Sequence, residues 1–362
     1  MSVSVAPQRT EPAQNRREIV HRARSPLRIS FAGGGTDVAP FPQEEGGLVL
    51  NATINRYAYG TLRERQDDQI VIESHDLGLA ARFAYGHDQD TTDALHLPRA
   101  AIGRLRSYED GVNHGSGFEM FLHSAAPPGS GLGSSSAMMV ALVGLLQGFR
   151  HLTFSDYEVA QLAHDIERID LKLAGGMQDH YASAFGGFNF IEFEPDGVVV
   201  NPLRVSAQTI SELEYSLLLA YTGATRASDH VIKDQTSRHL ARSEETVAGL
   251  RAQKELALAM KGALLRGRLS ELGALLGEAW EQKKRLSPRI TTPAIDEIYD
   301  EALRAGALGG KITGAGGGGY MLLYCRYDRR HRVAEAVERA GARVSSIAFE
   351  HSGLTHWTTT VE

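Results

Sequence analysis

Cysteine is almost missing: Cys325 is the single one in 362 residues. That excludes an internal disulfide and a cysteine-based zinc site, and it favours a reducing compartment, the cytoplasm. None of the 14 histidines falls in a His-Glu-x-x-His spacing, so the zinc-protease pattern is missing too. No apolar run reaches the ~20 residues that cross a bilayer; Met138 to Gly148 is apolar but too short. The polar start, Met1 to Arg17, has no apolar signal core, and residues 1–18 are expected to be a disordered lead-in. Positive charge is not in excess either. A net charge of −6 gives no global field for nucleic acid or an anionic membrane, so the expected partners are small molecules. There is no repeat and no low-complexity tract.

What is present is a 42% hydrophobic chain, long enough for two domains. Strands are predicted over Arg24–Ala32, Leu48–Leu62, Gln69–Glu73 and Phe118–Ser124, and a hairpin over Phe188–Phe193 and Val198–Leu203. Helices are predicted over Ser134–Phe149, Ser155–Leu171 with a Ser155/Glu158 capping box, and Asp179–Phe185. A boundary after Pro202 divides a first domain, 19–205, from a second, 206–362. The second is expected to hold a strand at Tyr215–Tyr221 and helices across Ser237–Arg266, Leu269–Arg285 and Thr292–Ala305. A strand at Tyr320–Tyr324, a helix at Arg330–Ala340 and a strand at Val344–Phe349 complete it. Strands and helices mix without regular alternation, which indicates an α+β fold.

The chemistry concentrates in three glycine clusters. The first to draw notice runs from Pro127 to Ala137: Pro128, Gly129, Ser130, Gly131, Leu132, Gly133, Ser134, Ser135, Ser136. Alternate glycines let backbone N–H groups turn inward, and the loop opens straight into a helix whose free N–H groups favour an anion. It lacks the Gly-Lys-Ser/Thr ending of a Walker loop. Gly133-x-Ser135-x-Ala137 loosely matches a serine-hydrolase elbow, but Pro127-Pro128 and the long loop interrupt the tight strand–turn–helix that an elbow needs. The second cluster, Lys311 to Gly319, contains a formal G-x-G-x-x-G. It follows a predicted helix and precedes a strand, the reverse of a dinucleotide fingerprint; its many glycines point to close backbone approach. The third is Gly33-Gly34-Gly35-Thr36-Asp37. Between them lie Asp165, Glu167, Asp170 and Asp179. Glu167 and Asp179, separated by the Gly175-Gly176 break, can face one cleft and suit Mg2+ chemistry.

Ser25 to Asp37, Pro127 to Ala137 and Lys311 to Gly319, in that order along the chain, resemble the three motifs of the GHMP kinases, the family of galactokinase, homoserine kinase and mevalonate kinase. The resemblance implies a two-domain fold: an N-terminal half like domain 2 of ribosomal protein S5 and a C-terminal ferredoxin-like α/β half. It implies ATP and Mg2+ as cofactors. Asp179 matches the family's catalytic aspartate and Arg28 the basic residue facing it. Ser135 and Glu167 match the metal ligands, and Pro128 to Ser136 the ATP cradle. Gly34, Gly35, Thr36, Asp37, Asn51, Gly176 and Gln178 match acceptor-binding positions. Lys311, Thr313, Gly314, Gly316 and Gly317 match the loop that supports the ATP cradle.

The stretches Ala32–Asp37, Val49–Ile54, Gly175–Ala182 and Phe185–Phe190 resemble most the branch that phosphorylates the anomeric hydroxyl of D-glycero-D-manno-heptose 7-phosphate on the route to GDP-heptose. L-fucose or another heptose or octose phosphate is the alternative acceptor. His180 departs from the Gln expected there and marks a possible change of sugar. A distal phosphate needs a cation: Arg226 is preferred over Lys283, Lys284 and Arg285. An arginine facing Asp179 would favour positioning of the acceptor over proton removal. A serine hydrolase, or a non-catalytic binder of the same fold, is the reading from another class.

Overall fold

The computed structural model describes residues 18–87, 94–108, 117–223 and 228–361. The expected lead-in and Arg226 lie outside them. The first layer is built from β1 (Glu18–Ala32), β2 (Gly47–Glu64), β3 (Gln69–Ser74), β4 (Leu79–Ala84), β5 (Phe118–Ser124), β6 (Phe188–Glu194) and β7 (Gly197–Pro202), with α1 (Phe41–Glu45), α2 (His96–Arg106), α3 (Ser134–Phe149), α4 (Asp156–His164) and α5 (Gln178–Phe185). The second is built from α6 (Ala207–Ser216), β8 (Leu217–Tyr221), α7 (Ser228–Leu240), α8 (Glu244–Leu265), α9 (Leu269–Lys284), α10 (Pro293–Ala305), β9 (Ala307–Ile312), β10 (Tyr320–Cys325), α11 (Arg330–Arg339) and β11 (Arg343–Ser345). The last strand, β12 (Thr355–Val361), returns to pair with β1 in the first sheet. The segment 206–362 therefore does not keep its final strand to itself.

The first sheet runs β12-β1-β2-β5-β3-β4, with β6 and β7 added on β2. β2 serves two neighbours. Its first half, Gly47–Ala52, pairs with β6, and its second, Ala58–Glu64, with β5. α3 packs on β1 and β2. From Ser134 to Gln147 every residue of α3 except Ser135 is buried, as expected of a helix apolar on all sides. The second sheet is antiparallel, β11-β8-β10-β9. α8 packs on α9 and on β1 and β2, and α9 packs on β9 and reaches β1. This pair of helices therefore joins the two layers and brings α9 against β1. Among the described residues no helix is long and apolar enough to cross a membrane.

Several elements depart from their sequence signal. The predicted strand at Tyr215–Tyr221 begins only at Leu217, because Ser206 caps a helix through the Thr209 N–H. The predicted helix across Ser237–Arg266 is two helices, broken where Arg242 takes φ 55°. α4 keeps its Ser155/Glu158 capping box, but beyond His164 it widens into a π-helical stretch, Asp165–Asp170. β9 was hidden by Gly309 and Gly310, residues that weaken strands. Here they are needed, because a Cβ on Gly309 would lie 2.2 Å from Gly273 O of α9. The Lys311 cluster therefore follows a strand, not a helix. It remains unlike a dinucleotide fingerprint, since another strand comes next.

Candidate active site

One polar cavity collects the three glycine clusters. It is lined by Arg28 and Ser30 of β1, by Gly34, Gly35 and Asp37, and by Gly129, Gly131, Gly133, Ser134 and Ser135. Arg168, Gly175, Gly176, Gln178 and Asp179 form another wall, with Gln235 of α7, Lys283 of α9 and Gly314 closing it. The loop before α3 is shaped by Gly129, Gly131 and Gly133, at φ 74°, 81° and 74°. Gly133 is the N-cap residue and supplies no side-chain cap, so the first N–H groups of a 16-residue helix are left for an anion. Beside the loop opens a second, apolar cavity of about 280 Å3. Leu77, Leu95, Leu97, Pro98, Leu122 and Met138 line it, and it shares Ser134 and Ser135 with the first. Sequence reading did not find this cavity, because its residues come from four separate segments.

The loop is held from the second domain by backbone-to-backbone packing. A Cβ on Gly131 would lie 2.4 Å from Thr313 O, and one on Gly314 2.6 Å from Gly131 Cα. The Tyr320 N–H donates to Ser130 O at 2.9 Å. Thr313 closes its own turn on Tyr320 O. Gly316 sits against Ile290, and Gly317 N–H donates to Ile290 O at 2.7 Å. Lys311 is wholly buried and donates to Ser30 O and Phe31 O at 3.1 and 3.2 Å. Burial, then the nearby Lys283 and Arg28 charges, pushes its pKa well down.

Arg28 and Asp179 form an ion pair at the centre. Arg28 Nε and Nη2 lie 2.7 and 2.6 Å from Asp179 Oδ1, and Nη1 donates to Gly131 O at 2.5 Å. A Cβ on Gly133 would sit 3.2 Å from Asp179 Cγ. The carboxylate thus rests directly beside the start of α3, with Oδ2 free of partners among the described residues.

Glu167 and Ser135 are not brought into contact. Glu167 is 1% exposed and does not line the cavity. Its Oε2 accepts from Ser136 Oγ at 2.7 Å and meets His180 Nε2 at 2.6 Å. With the carboxylate ionised, that contact requires the imidazole proton on Nε2. Burial pushes the Glu167 carboxyl up, but Arg168, His180 and Ser136 together hold it below the ordinary range. Among the described residues Oε1 has no hydrogen bond, and it lies 3.4 Å from Arg168 Nη1. The Arg168 guanidinium occupies the space that a side chain at Gly175 would take, 2.2 Å from its Cβ position. His180 thus contacts the sealed carboxylate rather than the cavity. The Ser136–Glu167–His180 row is not a hydrolase triad: the carboxylate, not the imidazole, is in the middle, and Ser136 is wholly buried.

The residues expected from the sequence to meet the acceptor divide. Asp37 Oδ1 accepts from Gly35 N–H at 3.0 Å and Gln178 Nε2 at 3.1 Å, and Oδ2 from Gln178 N–H at 3.1 Å. A Cβ on Gly176 would lie 2.0 Å from that carboxylate. Asp37 therefore clamps two loops together and keeps little acceptor capacity to spare. Thr36 is consumed within its turn, bonding Gly33 O and Leu48 O, and does not line the cavity. Asn51 is wholly buried in β2, opposite Ser30, and also does not line it. Lys283, a secondary candidate from sequence, faces the cavity while 3% exposed.

Comparison with known proteins shows the family. The GHMP kinases N terminal domain model matches residues 96–187, and the GHMP kinases C terminal model residues 260–343. The chain is similar to D-glycero-alpha-D-manno-heptose 7-phosphate kinase of Campylobacter jejuni, 33% identical over 93% of this chain and 98% of that one. It is 31% identical to L-fucokinase/L-fucose-1-P guanylyltransferase of Bacteroides fragilis, over 84% of this chain but 34% of that longer protein. A crystal structure titled a D-glycero-D-manno-heptose 1-phosphate kinase, from Bacteroides thetaiotaomicron, superposes with TM-score 0.76 at 34% identity, covering 93% of this chain and 98% of the other. The chain belongs to the GHMP kinase family. It is an enzyme, a phosphotransferase with the two-domain α+β fold of that family.

Proposed function

We propose that this kinase transfers the γ-phosphoryl group of ATP to the anomeric hydroxyl of D-glycero-D-manno-heptose 7-phosphate, giving the 1,7-bisphosphate as the α anomer, on the route to GDP-heptose. The observation that carries the chemistry is the Arg28–Asp179 pair seated against Gly133 at the start of α3. Phosphoryl transfer needs in-line positioning and charge stabilisation more than covalent help. Arg28 occupies Oδ1 of Asp179, so Oδ2 is left to accept the acceptor's O–H. As the hydroxyl oxygen bonds to Pγ and the bond from Pγ to the ADP oxygen breaks, that proton passes to Oδ2 or leaves with product. The N–H groups of the Gly129–Ser136 loop hold the phosphates, and the apolar cavity beside Met138 takes the adenine.

Among the described residues no cluster of three acidic, histidine or cysteine side chains could hold a metal alone. Mg2+ does not require one, since one carboxylate plus phosphate oxygens suffices. The Ser135 hydroxyl, which lines the cavity, is a hard oxygen donor that fits it, whereas Glu167 Oε1 faces Arg168 and is sealed from the cavity. Mg2+ bound there would supply charge to the β- and γ-phosphates. A cytoplasmic location is supported by the single, buried Cys325.

The acceptor follows the similarity to two heptose kinases. A neutral sugar such as L-fucose is the second reading, favoured by the Bacteroides fragilis relative. ADP release with Mg·ATP and a panel of heptose 7-phosphate, unphosphorylated heptose, L-fucose and galactose tests both. Fast turnover only with the heptose phosphate is the expected result. Preference for a neutral sugar would overturn the acceptor, and no ATP-dependent turnover on any sugar would overturn the proposed reaction.

A further inference from the structure

Three buried polar groups converge on Gly34. A Cβ built there would lie 3.5 Å from Ser30 Oγ, 3.5 Å from Gln178 Nε2 and 3.8 Å from Lys283 Nζ. Ser30 and Lys283 are 2% and 3% exposed and Gln178 7%. Ser30 Oγ and Gln178 Oε1 have no hydrogen-bond partner among the described residues. Lys283 Nζ makes no hydrogen bond or ion pair among the described residues, although Lys283 lines the cavity. A buried ammonium without a counterion is costly unless something brings one.

The neighbouring carboxylates compensate it only from a distance. Asp37 and Asp179 favour its charged form, but neither pairs with it: Arg28 holds Asp179 Oδ1, and Gly35 and Gln178 hold Asp37. Lys311, on the adjacent β9, adds positive charge and spends its donors on Ser30 O and Phe31 O. Around Gly34, two donors, Lys283 Nζ and the Ser30 hydroxyl, are thus left without a direct acceptor.

We infer that Lys283 and Ser30, around the space left open by Gly34, form an anion subsite that binds the phosphate the sugar substrate already carries. This rests on the sugar-phosphate reading above and deepens it. Lys283 contributes a point charge and Ser30 one O–H donor. Gln178 Oε1, an acceptor, takes a sugar hydroxyl next to that phosphate. A neutral sugar would leave Lys283 uncompensated, so the subsite selects phosphorylated acceptors.

The test compares the full-length wild type with Lys283→Met and Ser30→Ala on heptose 7-phosphate and on the unphosphorylated heptose. The ratio of the two kcat/KM values should fall by roughly 10²-fold in Lys283→Met and about tenfold in Ser30→Ala. Equal loss on both sugars, with the ratio intact, would overturn the subsite and place Lys283 on the transferring phosphoryl group or in the fold. An unaltered ratio with unaltered activity would overturn it equally. A second readout needs no turnover: with the ATP loop saturated by Mg·ADP, millimolar inorganic phosphate should raise the Tm of the wild type and not of Lys283→Met. If phosphate does so while no phosphorylated sugar is turned over, the acceptor proposed above fails and the anion subsite stands. If phosphate stabilises both proteins alike, the subsite fails whatever the acceptor.

Discussion

The two sides of the cavity are made of different materials. The side proposed to hold ATP is backbone: Gly129, Gly131 and Gly133 turn N–H groups inward, and Gly314 and Gly319 press on them with no side chain between. The side proposed to hold the acceptor is side chains: Asp37 on Gln178, Arg28 on Asp179, Lys283 beside Ser30. Backbone donors suit a ligand part common to every nucleotide, because no substitution except at glycine alters them. Side chains suit the variable partner, because each can be changed singly. The expected effects follow this division.

The largest effect belongs to Asp179, where the two sides meet. Asp179→Asn keeps the shape but removes the charge facing Arg28 and the acceptor. We expect kcat to fall by about 10³-fold, with Mg·ADP affinity within a few-fold of wild type by calorimetry. Turnover within tenfold of wild type would remove Asp179 from the reaction.

Next comes a pair of glycines, one from each side. Gly131→Ala must carry a Cβ at φ 81°, 2.4 Å from Thr313 O. It should cost about 2–4 kcal/mol of stability and raise the KM for ATP. Gly34→Ala meets only ordinary contacts, at 3.5–3.8 Å. It should leave the melting temperature and the ATP KM nearly as they are and raise the acceptor KM. If Gly34→Ala damages ATP binding as much, the two sides are not separable.

This division also sets what the sequence could reveal. The glycine motifs were legible because close backbone approach allows almost no other residue at Gly131 or Gly314. The helix from Ser134 to Phe149 was legible from its unbroken apolar run. Arg28 and Asp179 were legible through the resemblance of the motifs around them. Lys283 ranked only second to Arg226 in the sequence, alongside Lys284 and Arg285, since a lysine in the last turn of an amphipathic helix normally faces water, and only the packing of α9 against β1 turns it inward. Thr36 and Asn51 sit within acceptor motifs, yet one closes a turn and the other is sealed in β2. A motif marks a neighbourhood, and the backbone decides which of its members face the ligand. β9 was hidden for the opposite reason: its glycines lower strand propensity, while the need to fit against α9 demands them.

A smaller effect distinguishes the sealed carboxylate from the open one. His180→Ala removes one of the partners that keep Glu167 ionised in the interior, and should cost about 2 kcal/mol. The loss should depend on acid. Glu167 is held below its ordinary value of 4.5, so its stabilising share is complete above that pH and is lost as pH falls toward the depressed folded value. Urea titrations at pH 7 and pH 4 should therefore show the gap between wild type and His180→Ala narrowing at the lower pH. A gap that widens would mean that His180 does not support the ionised form.

The smallest effect runs the other way and bears on the acceptor side alone. Burial, the dominant cause, lowers the pKa of Lys283 from 10.5 to about 8, with Arg28 adding to the fall while Asp37 and Asp179 oppose it. Lys311 faces the same charge from β9. A base whose folded pKa is depressed costs stability wherever both states are protonated, here below about pH 8. That cost fades as pH rises toward 10.5, where the unfolded lysine also loses its proton. Lys283→Met should therefore be more stable than wild type by about 1 kcal/mol at pH 7, and the advantage should close by about pH 10. Inorganic phosphate at pH 7 should close it too, by giving the ammonium its counterion. A methionine variant less stable than wild type at every pH would mean that the lysine stem, not its charge, is what the fold uses, and the contrast between the two sides would lose its clearest member.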